Sequence, residues 1–196
     1  MIPHNFKIIC SSLSQEYNFS HSLTSGWNLI SLPSDVSVDK DNISVYYSGV
    51  NHSWQDAVTD GIIIGFLYDW NESTQNYDFS DSLIPGEGYW IYAYSACDLW
   101  IQVSDNEDND YITDLLTNWN LVGLPYDSPI AKDDLTVFYG GVNHSWQDAV
   151  TDGVIIGFLY DWNESTQNYD FSDSLIPGEG YWIYAYSDCI LKKEGK

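Results

Sequence analysis

The sequence predicts a mainly β protein made of two tandem copies of an antiparallel β module, each sandwich-like or barrel-like with one short helix. Residues 49–95 recur as residues 141–187 at a constant offset of 92 positions, with the single change of Ile62 to Val154. A self-match at a fixed period defines the structural unit of a chain. Both copies contain short runs of β-branched and aromatic residues between Gly, Pro and Asn, a pattern typical of strands joined by turns.

The repeat also predicts the domain organisation, because each unit is large enough to bury its own core. The expected divisions are an N-terminal segment (residues 1–22, with one strand at residues 6–10), a first module (residues 23–103), an acidic linker (residues 104–112), a second module (residues 113–191) and a tail (residues 192–196).

The first half of each module contains residues that typically end strands and helices. In the first copy, a strand over residues 27–33 stops at a proline. A hairpin over residues 43–52 turns at Ser-Gly. Ser53 is a suitable N-cap and Gly61 a suitable C-terminal residue for a helix of about two turns, with Trp54 facing the core.

The second half reads as further strands. A long strand is expected over residues 62–70, where Gly65 marks a bulge or a close backbone approach. The polar residues 71–76 predict a hairpin loop. Pro85-Gly86 predicts a type II turn. A central strand over residues 89–94 and a last strand over residues 97–102 complete the module.

Composition excludes some partners. The chain has 29 Asp and Glu residues against six Lys and no Arg, a net charge of −23. Such a surface repels phosphate backbones and anionic lipid, so we expect no nucleic acid partner. We expect no membrane insertion, because no apolar run approaches the ~18 residues that a spanning helix needs. The N-terminus lacks a secretory signal pattern, so an exported form would be a fragment or a mature chain.

Two motifs together resemble a known family. Gly-Trp-Asn-Leu-Ile-Ser-Leu-Pro opens the first module, and Pro-Gly-Glu-Gly-Tyr-Trp-Ile-Tyr-Ala closes it. The pair resembles the tandem β-rich modules of secreted and cell-surface proteins, mainly archaeal, over residues 23–97 and 115–189. The resemblance implies an extracellular or cell-surface location. It also implies a building-block or binding role without catalysis, with other surface proteins or polysaccharide as partners.

The residues themselves favour no catalytic or metal site. His52 and His144 stand alone in their modules, which is poor spacing for zinc. No nucleophile-elbow pattern accompanies them, and no spacing selects a pair of carboxylates. The acidic residues 105–110 lack the Gly and Glu of an EF-hand loop, so a solvated linker is expected rather than a calcium site. We therefore expect neither enzyme activity nor a cofactor.

Cysteine pairing stays open at this level. Cys97 and Cys189 occupy equivalent positions, and Cys10 precedes the first module. Cys97 can pair with either of the other two but not with both, and the geometric requirement is strict.

Six Asn-x-Ser sequons mark candidate N-glycosylation sites. In an exported protein such asparagines lie on exposed loops. The alternative is chance occurrence in a chain rich in Asn and Ser. The six residues are Asn18, Asn42, Asn51, Asn71, Asn143 and Asn163.

The aromatic residues, 16% of the chain, are candidates for binding sugars, because Trp and Tyr have flat apolar faces and a polar group. The candidates for stacking lie beside polar loops: Trp70, Tyr77, Trp162 and Tyr169. We expect Trp27, Trp54 and Trp90 to fill the core instead.

These observations lead to two functional hypotheses. The leading one is a non-catalytic structural or adhesion module of a cell-surface or envelope protein, with sheet edges as the route to self-association. The alternative is a bivalent carbohydrate-binding module, which gains avidity from its two copies. A row of solvent-facing Trp and Tyr on one face would favour the second hypothesis.

Overall fold

A computed structural model of the protein describes residues 16–104 and 111–193. The expected strand over residues 6–10 and the acidic residues 105–110 lie outside these ranges. Within them the chain is mainly β and forms two copies of one antiparallel module, as predicted. No helix in this part of the chain is long and apolar enough to cross a membrane.

The first module contains ten strands, one α-helix and a 3₁₀ turn at Lys40–Asn42. In chain order they are β1 Glu16–Leu23, β2 Gly26–Ser31, β3 Val38–Asp39, β4 Ser44–Tyr47, β5 Val50–Ser53, α1 Trp54–Thr59, β6 Leu67–Asn71, β7 Asn76–Ser80, β8 Ser82–Leu83, β9 Gly88–Ala93 and β10 Cys97–Ser104.

The second module repeats this order, with its 3₁₀ turn at Lys132–Asp134. Its elements are β11 Tyr111–Leu115, β12 Asn118–Gly123, β13 Ile130–Ala131, β14 Thr136–Tyr139, β15 Val142–Ser145, α2 Trp146–Thr151, β16 Leu159–Asn163, β17 Asn168–Ser172, β18 Ser174–Leu175, β19 Gly180–Ala185 and β20 Cys189–Lys193.

Each module has two four-stranded antiparallel sheets and a two-stranded ribbon. In the first module the flanking sheet has the order β1-β10-β4-β5, and the docking sheet has the order β2-β9-β6-β7. The second module has the equivalent sheets β11-β20-β14-β15 and β12-β19-β16-β17. The strand β1 pairs with β10 over its whole length, so the first module begins by residue 16 rather than at residue 23. Likewise, β11 and β20 extend the second module to residues 111 and 193.

Several local predictions are confirmed. The β4–β5 hairpin turns through Ser48 and Gly49, both at positive φ. The side chain of Ser53 accepts a hydrogen bond from the backbone of Asp56, which makes it the N-cap of α1. Gly86 has a φ of 84°, as the second central residue of a type II turn requires.

The long strand predicted over residues 62–70 is wrong in its first half, because only Leu67–Asn71 forms β6. The segment between α1 and β6 is instead hydrogen-bonded to the end of α1, because the Ile62 N–H donates to the Ala57 carbonyl at 2.8 Å. A Cβ at Gly65 would lie 3.3 Å from a valine of α1. Gly65 therefore marks a close approach of the segment before β6 to α1.

The core of each module lies between its two sheets. Successive residues of a strand point to opposite faces, so each docking sheet has an inner face and an outer face. On β9 the inner face carries Tyr89, Ile91 and Ala93, all buried in the module core with Trp54 of α1. The outer face carries the remaining aromatic residues of the strand, and these do not belong to the module core.

The outer faces of the two docking sheets pack against each other. Leu29 and Trp90 of the first module form a separate buried cluster with Leu121 and Trp182 of the second. These residues are equivalent in the repeat, so the modules dock through one surface used twice, around a pseudo-two-fold axis.

One difference between the modules lies at this axis. Ser31 and Gly123 are equivalent residues, and a Cβ added at Gly123 would lie 2.3 Å from the Cβ of Ser31. The Ser31 hydroxyl donates to the Glu179 carbonyl at 2.8 Å, and the Ser31 N–H donates to the Gly178 carbonyl at 2.7 Å. There is room for one side chain at this point, which explains why the second module has glycine.

We predict that Gly123→Ser weakens the docking of the modules by roughly 1–3 kcal/mol, the usual cost of overpacking. Urea unfolding checks the free energy, and a red shift of tryptophan emission reports the exposure of the docked indoles.

The matched control is the swap Ser31→Gly with Gly123→Ser, which moves the single side chain to the other module. The swap removes the contact with Ser31 but keeps the 2.5 Å approach of a Cβ at position 123 to the Glu87 carbonyl, so it should restore only part of the lost stability. If it is as unstable as Gly123→Ser alone, crowding against Ser31 is not the cause.

Candidate functional site

Two aromatic clefts lie along the junction between the docking sheets, each with a volume of about 470 Å³. Each is lined by residues of both modules, so neither exists in an isolated module. The first is lined by Trp70, Tyr77, Trp119, Tyr160, Tyr169 and Trp182. The second is lined by Trp27, Tyr68, Tyr77, Trp90, Trp162 and Tyr169.

Strand alternation places these side chains. On β6, Tyr68 and Trp70 point to the outer face, while Asp69 between them points away from it. Trp70 is directly opposite Tyr77 on β7, and Tyr68 is opposite Trp90 on β9. Registered pairs of large rings on one face therefore build a continuous aromatic surface.

The four residues predicted to stack on sugars all line the clefts. The rings of Trp70 and Tyr77 are 5.0 Å apart and nearly perpendicular, and so are those of Trp162 and Tyr169. Both tyrosines are 48% exposed. The tryptophans are more covered, because each packs against a tryptophan of the other module at 4.9 Å: Trp70 against Trp182 and Trp162 against Trp90.

Hydrogen bonds across the junction hold the tryptophans in place. The Trp70 indole N–H donates to the Trp119 carbonyl at 2.9 Å, and the Trp162 indole N–H donates to the Trp27 carbonyl at 2.8 Å. These hydrogen bonds therefore fix the orientation of the two indoles within the cleft walls.

Two glutamines that the sequence reading did not single out clamp the same backbone. Gln167 accepts from the Trp27 N–H at 2.8 Å and donates to the Trp27 carbonyl at 2.9 Å. Gln75 makes the equivalent pair of bonds with Trp119. Both glutamines have positive φ, which is uncommon outside glycine, but the sequence carries no sign of that conformation.

The prediction for Trp27 is wrong, and that for Trp90 is only partly right. Trp27 is 37% exposed and lines a cleft, because its strand position faces the junction instead of the module core. Trp90 is buried, but in the cluster between the modules. Trp54 fills the module core as expected.

The clefts also contain polar groups. The pKa of Tyr77 is raised mainly by burial and secondly by the neighbouring Tyr169. Burial also raises the pKa of Tyr169. Both hydroxyls therefore keep their protons and can donate. The indole N–H groups of Trp90 and Trp182 are buried and make no hydrogen bond of normal geometry, although each lies close enough to a tyrosine hydroxyl to lower its pKa slightly.

Behind each cleft lies a set of interacting carboxylates. In the first module, burial and then Glu87 raise the pKa of Asp69 to about 6. Burial also raises the pKa of Glu72, whose carboxylate accepts a hydrogen bond from the backbone of Leu121 in the other module. These acids are therefore next to the junction but do not line the clefts.

The carboxyl groups of the second module show a different pattern of pKa shifts. Burial, then Glu164 and Asp161, raise the pKa of Glu179 to about 8. Its equivalent Glu87 accepts a hydrogen bond from the Tyr89 hydroxyl at 2.8 Å.

The sequons fall into two groups. Asn42, Asn51 and Asn143 are exposed, while the side chain of Asn18 in β1 is not among those that the structure describes. Asn71 is half-buried: its amide donates to Asp78 at 2.9 Å and accepts from the Thr74 N–H at 3.0 Å. Asn163 makes the equivalent bonds, with Asp170 and Thr166. These two asparagines shape hairpins.

The other candidate sites gain no geometric support. Cys97 and Cys189 are buried free thiols, so the bridge between them is not formed. Each lies in the core of its own module. His52 lies 3.3 Å from Asp60, and His144 lies at a similar distance from its equivalent aspartate. In residues 16–104 and 111–193, no three His, Cys, Asp or Glu residues are grouped as a metal site.

We predict that the melting temperature rises by several degrees as pH falls from about 8 to about 6.5. The folded-state pKa of Glu179 is raised above its ordinary value, so the native state takes up protons before the unfolded state does. His21, whose pKa burial lowers to about 4, contributes in the opposite direction, but the unfolded histidine is only half protonated when the pH reaches its ordinary value of 6.5. Its contribution is therefore the smaller one over this range.

Glu179→Gln should flatten this slope, whereas the exposed Asp133→Asn should leave it unchanged. Differential scanning calorimetry across the pH series checks both variants. A slope that survives in Glu179→Gln would contradict the assignment.

We also predict that Asn71→Ala and Asn163→Ala each lower the free energy of unfolding by about 1 kcal/mol, because each removes hairpin hydrogen bonds. Asn51→Ala and Asn143→Ala should change it by less than about 0.5 kcal/mol, as exposed positions usually do. Urea unfolding measures both pairs. Equal effects would contradict the division of the sequons into structural and exposed groups.

Comparisons with known proteins add no family assignment. Neither a protein-family model, a curated protein nor a solved structure matches this chain. Function is therefore inferred from the geometry and chemistry of the clefts.

Proposed function

We propose that this protein is a non-catalytic carbohydrate-binding element of a cell-surface or envelope protein, and that sugar rings bind in the two clefts. One observation carries the proposal: Trp70, Tyr77, Trp162 and Tyr169 come together, half-exposed, on aromatic walls that both modules share. Aromatic rings present flat apolar faces, and the C–H faces of pyranose rings are complementary to them.

The shape and chemistry of the clefts support a sugar ligand. Ligand sites are usually concave, mostly apolar and equipped with a few placed polar groups. Here the hydroxyls of Tyr77 and Tyr169, residues that line both clefts, supply such groups, and the raised pKa of each keeps it protonated. A sugar offers hydroxyl acceptors and an apolar face together.

A binding role without catalysis is supported by what lines the clefts. Among the described residues, every lining side chain is Trp or Tyr. Glycoside hydrolysis uses two carboxyl groups that flank the scissile bond. Acids with raised pKa do not line the clefts, and they interact with other acids of their own module: Asp69 with Glu87, and Glu179 with Glu164.

Exposed sequons and the acidic surface support an extracellular location. Asn42, Asn51 and Asn143 are accessible to glycosylation, and the net charge of −23 favours solubility. Asn51 and Asn143 lie on β5 and β15, which are edge strands.

A structural or adhesion role is the second candidate, favoured by the docking itself. The tight docking of the modules makes one stiff block, as a repeated element of a surface assembly requires. Val50 and Val142 on the edge strands are more than half exposed. These edges are the surfaces we propose for self-association or contact with other surface proteins.

We predict that Tyr77→Ala with Tyr169→Ala weakens binding to neutral polysaccharide at least about tenfold, since a stacked aromatic contributes ~0.5–1.5 kcal/mol beyond its buried area. The matched control is Tyr94→Ala with Tyr186→Ala, because these tyrosines are equally exposed but do not line either cleft. Affinity electrophoresis in gels of several polysaccharides measures the retardation.

Two results would contradict the proposal. One is the absence of retardation of the native protein in every neutral polysaccharide. The other is an equal loss in the control variant, which would move the site away from the clefts. Circular dichroism of each variant verifies that it is folded.

A further inference from the structure

Ring contacts continue outward from each cleft. In the first module, Phe66, Phe79, Tyr68 and Trp27 follow one another with centroid separations of 4.9, 5.2 and 5.6 Å. The second module has the same succession, with separations of 4.8, 5.2 and 5.5 Å, through Phe158, Phe171, Tyr160 and Trp119. The outermost phenylalanines are strongly exposed, so each succession is open to solvent.

The two clefts meet at their inner ends. Tyr77 and Tyr169 line both of them. Tyr169 lies 6.4 Å from Trp90 in one cleft, and Tyr77 lies 6.5 Å from Trp182 in the other, again between ring centroids. The two clefts therefore adjoin at Tyr77 and Tyr169, and a row of rings leads outward from each.

The residues shared by the two clefts carry hydrogen-bonding groups. Tyr77 and Tyr169 are half-exposed and line both clefts, and burial raises the pKa of each hydroxyl, so both keep their protons. The indole N–H groups of Trp90 and Trp182 are buried and lie beyond the reach of a ligand. The two tyrosine hydroxyls are therefore the donors available to ligand oxygens that cross from one cleft to the other.

Charge limits the chemistry of the ligand. The carboxylates behind the clefts, among them Asp69, Glu72 and Glu179, already have raised pKa values because of burial and mutual repulsion. A uronate or a sulfated sugar would add negative charge to a protein of net charge −23. The apolar walls would also disfavour an ionic ligand of either sign.

We infer that the ligand is one neutral, extended pyranose chain that occupies both clefts at once, rather than a separate sugar in each. The inference rests on the proposed carbohydrate-binding function and identifies the form of the ligand. Chain segments in the two clefts stack on the aromatic walls, and oxygens between them accept hydrogen bonds from the Tyr77 and Tyr169 hydroxyls.

A linked ligand of this kind shows a particular dependence on length. When one segment is bound, the next is held at high effective concentration near the second cleft. Affinity should therefore rise steeply once the chain reaches both clefts, and the number of ligands bound per protein should fall from two to one. Independent sites would show neither change.

Isothermal titration calorimetry with two neutral series, cello-oligosaccharides and chito-oligosaccharides from disaccharide to hexasaccharide, tests this. In at least one series we expect a gain of about 100-fold from the shortest to the longest ligand, with one long ligand bound per protein. Tyr77→Phe with Tyr169→Phe keeps the rings but removes the hydroxyls, and should reduce that gain. Tyr94→Phe with Tyr186→Phe is the matched control and should preserve it.

The outcomes separate this inference from the function on which it rests. Two ligands per protein at every length, with no gain in affinity, would overturn the single-chain inference and leave carbohydrate binding intact. No binding in either series or to any neutral polysaccharide would overturn both. Tighter binding of oligogalacturonates than of the neutral series would overturn the neutral class.

Discussion

The structure depends on the packing of two aromatic sheet faces against each other. The outer face of each docking sheet is too apolar to remain in water, and its partner is the same face of the other module. Leu29, Trp90, Leu121 and Trp182 are buried there, away from both module cores. Because the faces contact along only part of their area, the remaining rings stay half-exposed and form the clefts. The clefts and the interface between the modules are thus one feature.

This docking gives a physical reason for the near-identity of residues 49–95 and 141–187. Residues 49–95 and 141–187 contain most of the ring positions that meet across the pseudo-two-fold axis, so a change in one copy would disturb the match with the other. The difference at the axis, Ser31 in the first module and Gly123 in the second, also reflects the need for the two copies to fit each other. Two serines would collide there, whereas one serine fits and hydrogen-bonds to the opposite module. The pair therefore favours docking of unlike modules over like ones.

The candidate site could be predicted in part. Trp70, Tyr77, Trp162 and Tyr169 were identifiable because large aromatic residues beside polar loops are conspicuous in the sequence. Trp27 was misassigned, since strand alternation says which residues share a face but not whether that face meets a core, a neighbour or solvent. Gln75 and Gln167 had no sequence signal at all. Their role depends on backbone groups of the other module, more than forty residues away in the chain.

The sequence by itself determined the modules, their turns and caps, and the β class, because these depend on local residue chemistry and on a repeat visible by inspection. Ser53 caps its helix and Gly86 makes its turn whatever the modules do. Only the tertiary structure decided that the two copies face each other. The repeat indicated two separate sites, one per module, whereas the structure has two shared clefts that meet at Tyr77 and Tyr169. The reason is physical: an apolar sheet face buries itself against whatever complementary surface lies within reach, and local sequence does not encode that choice.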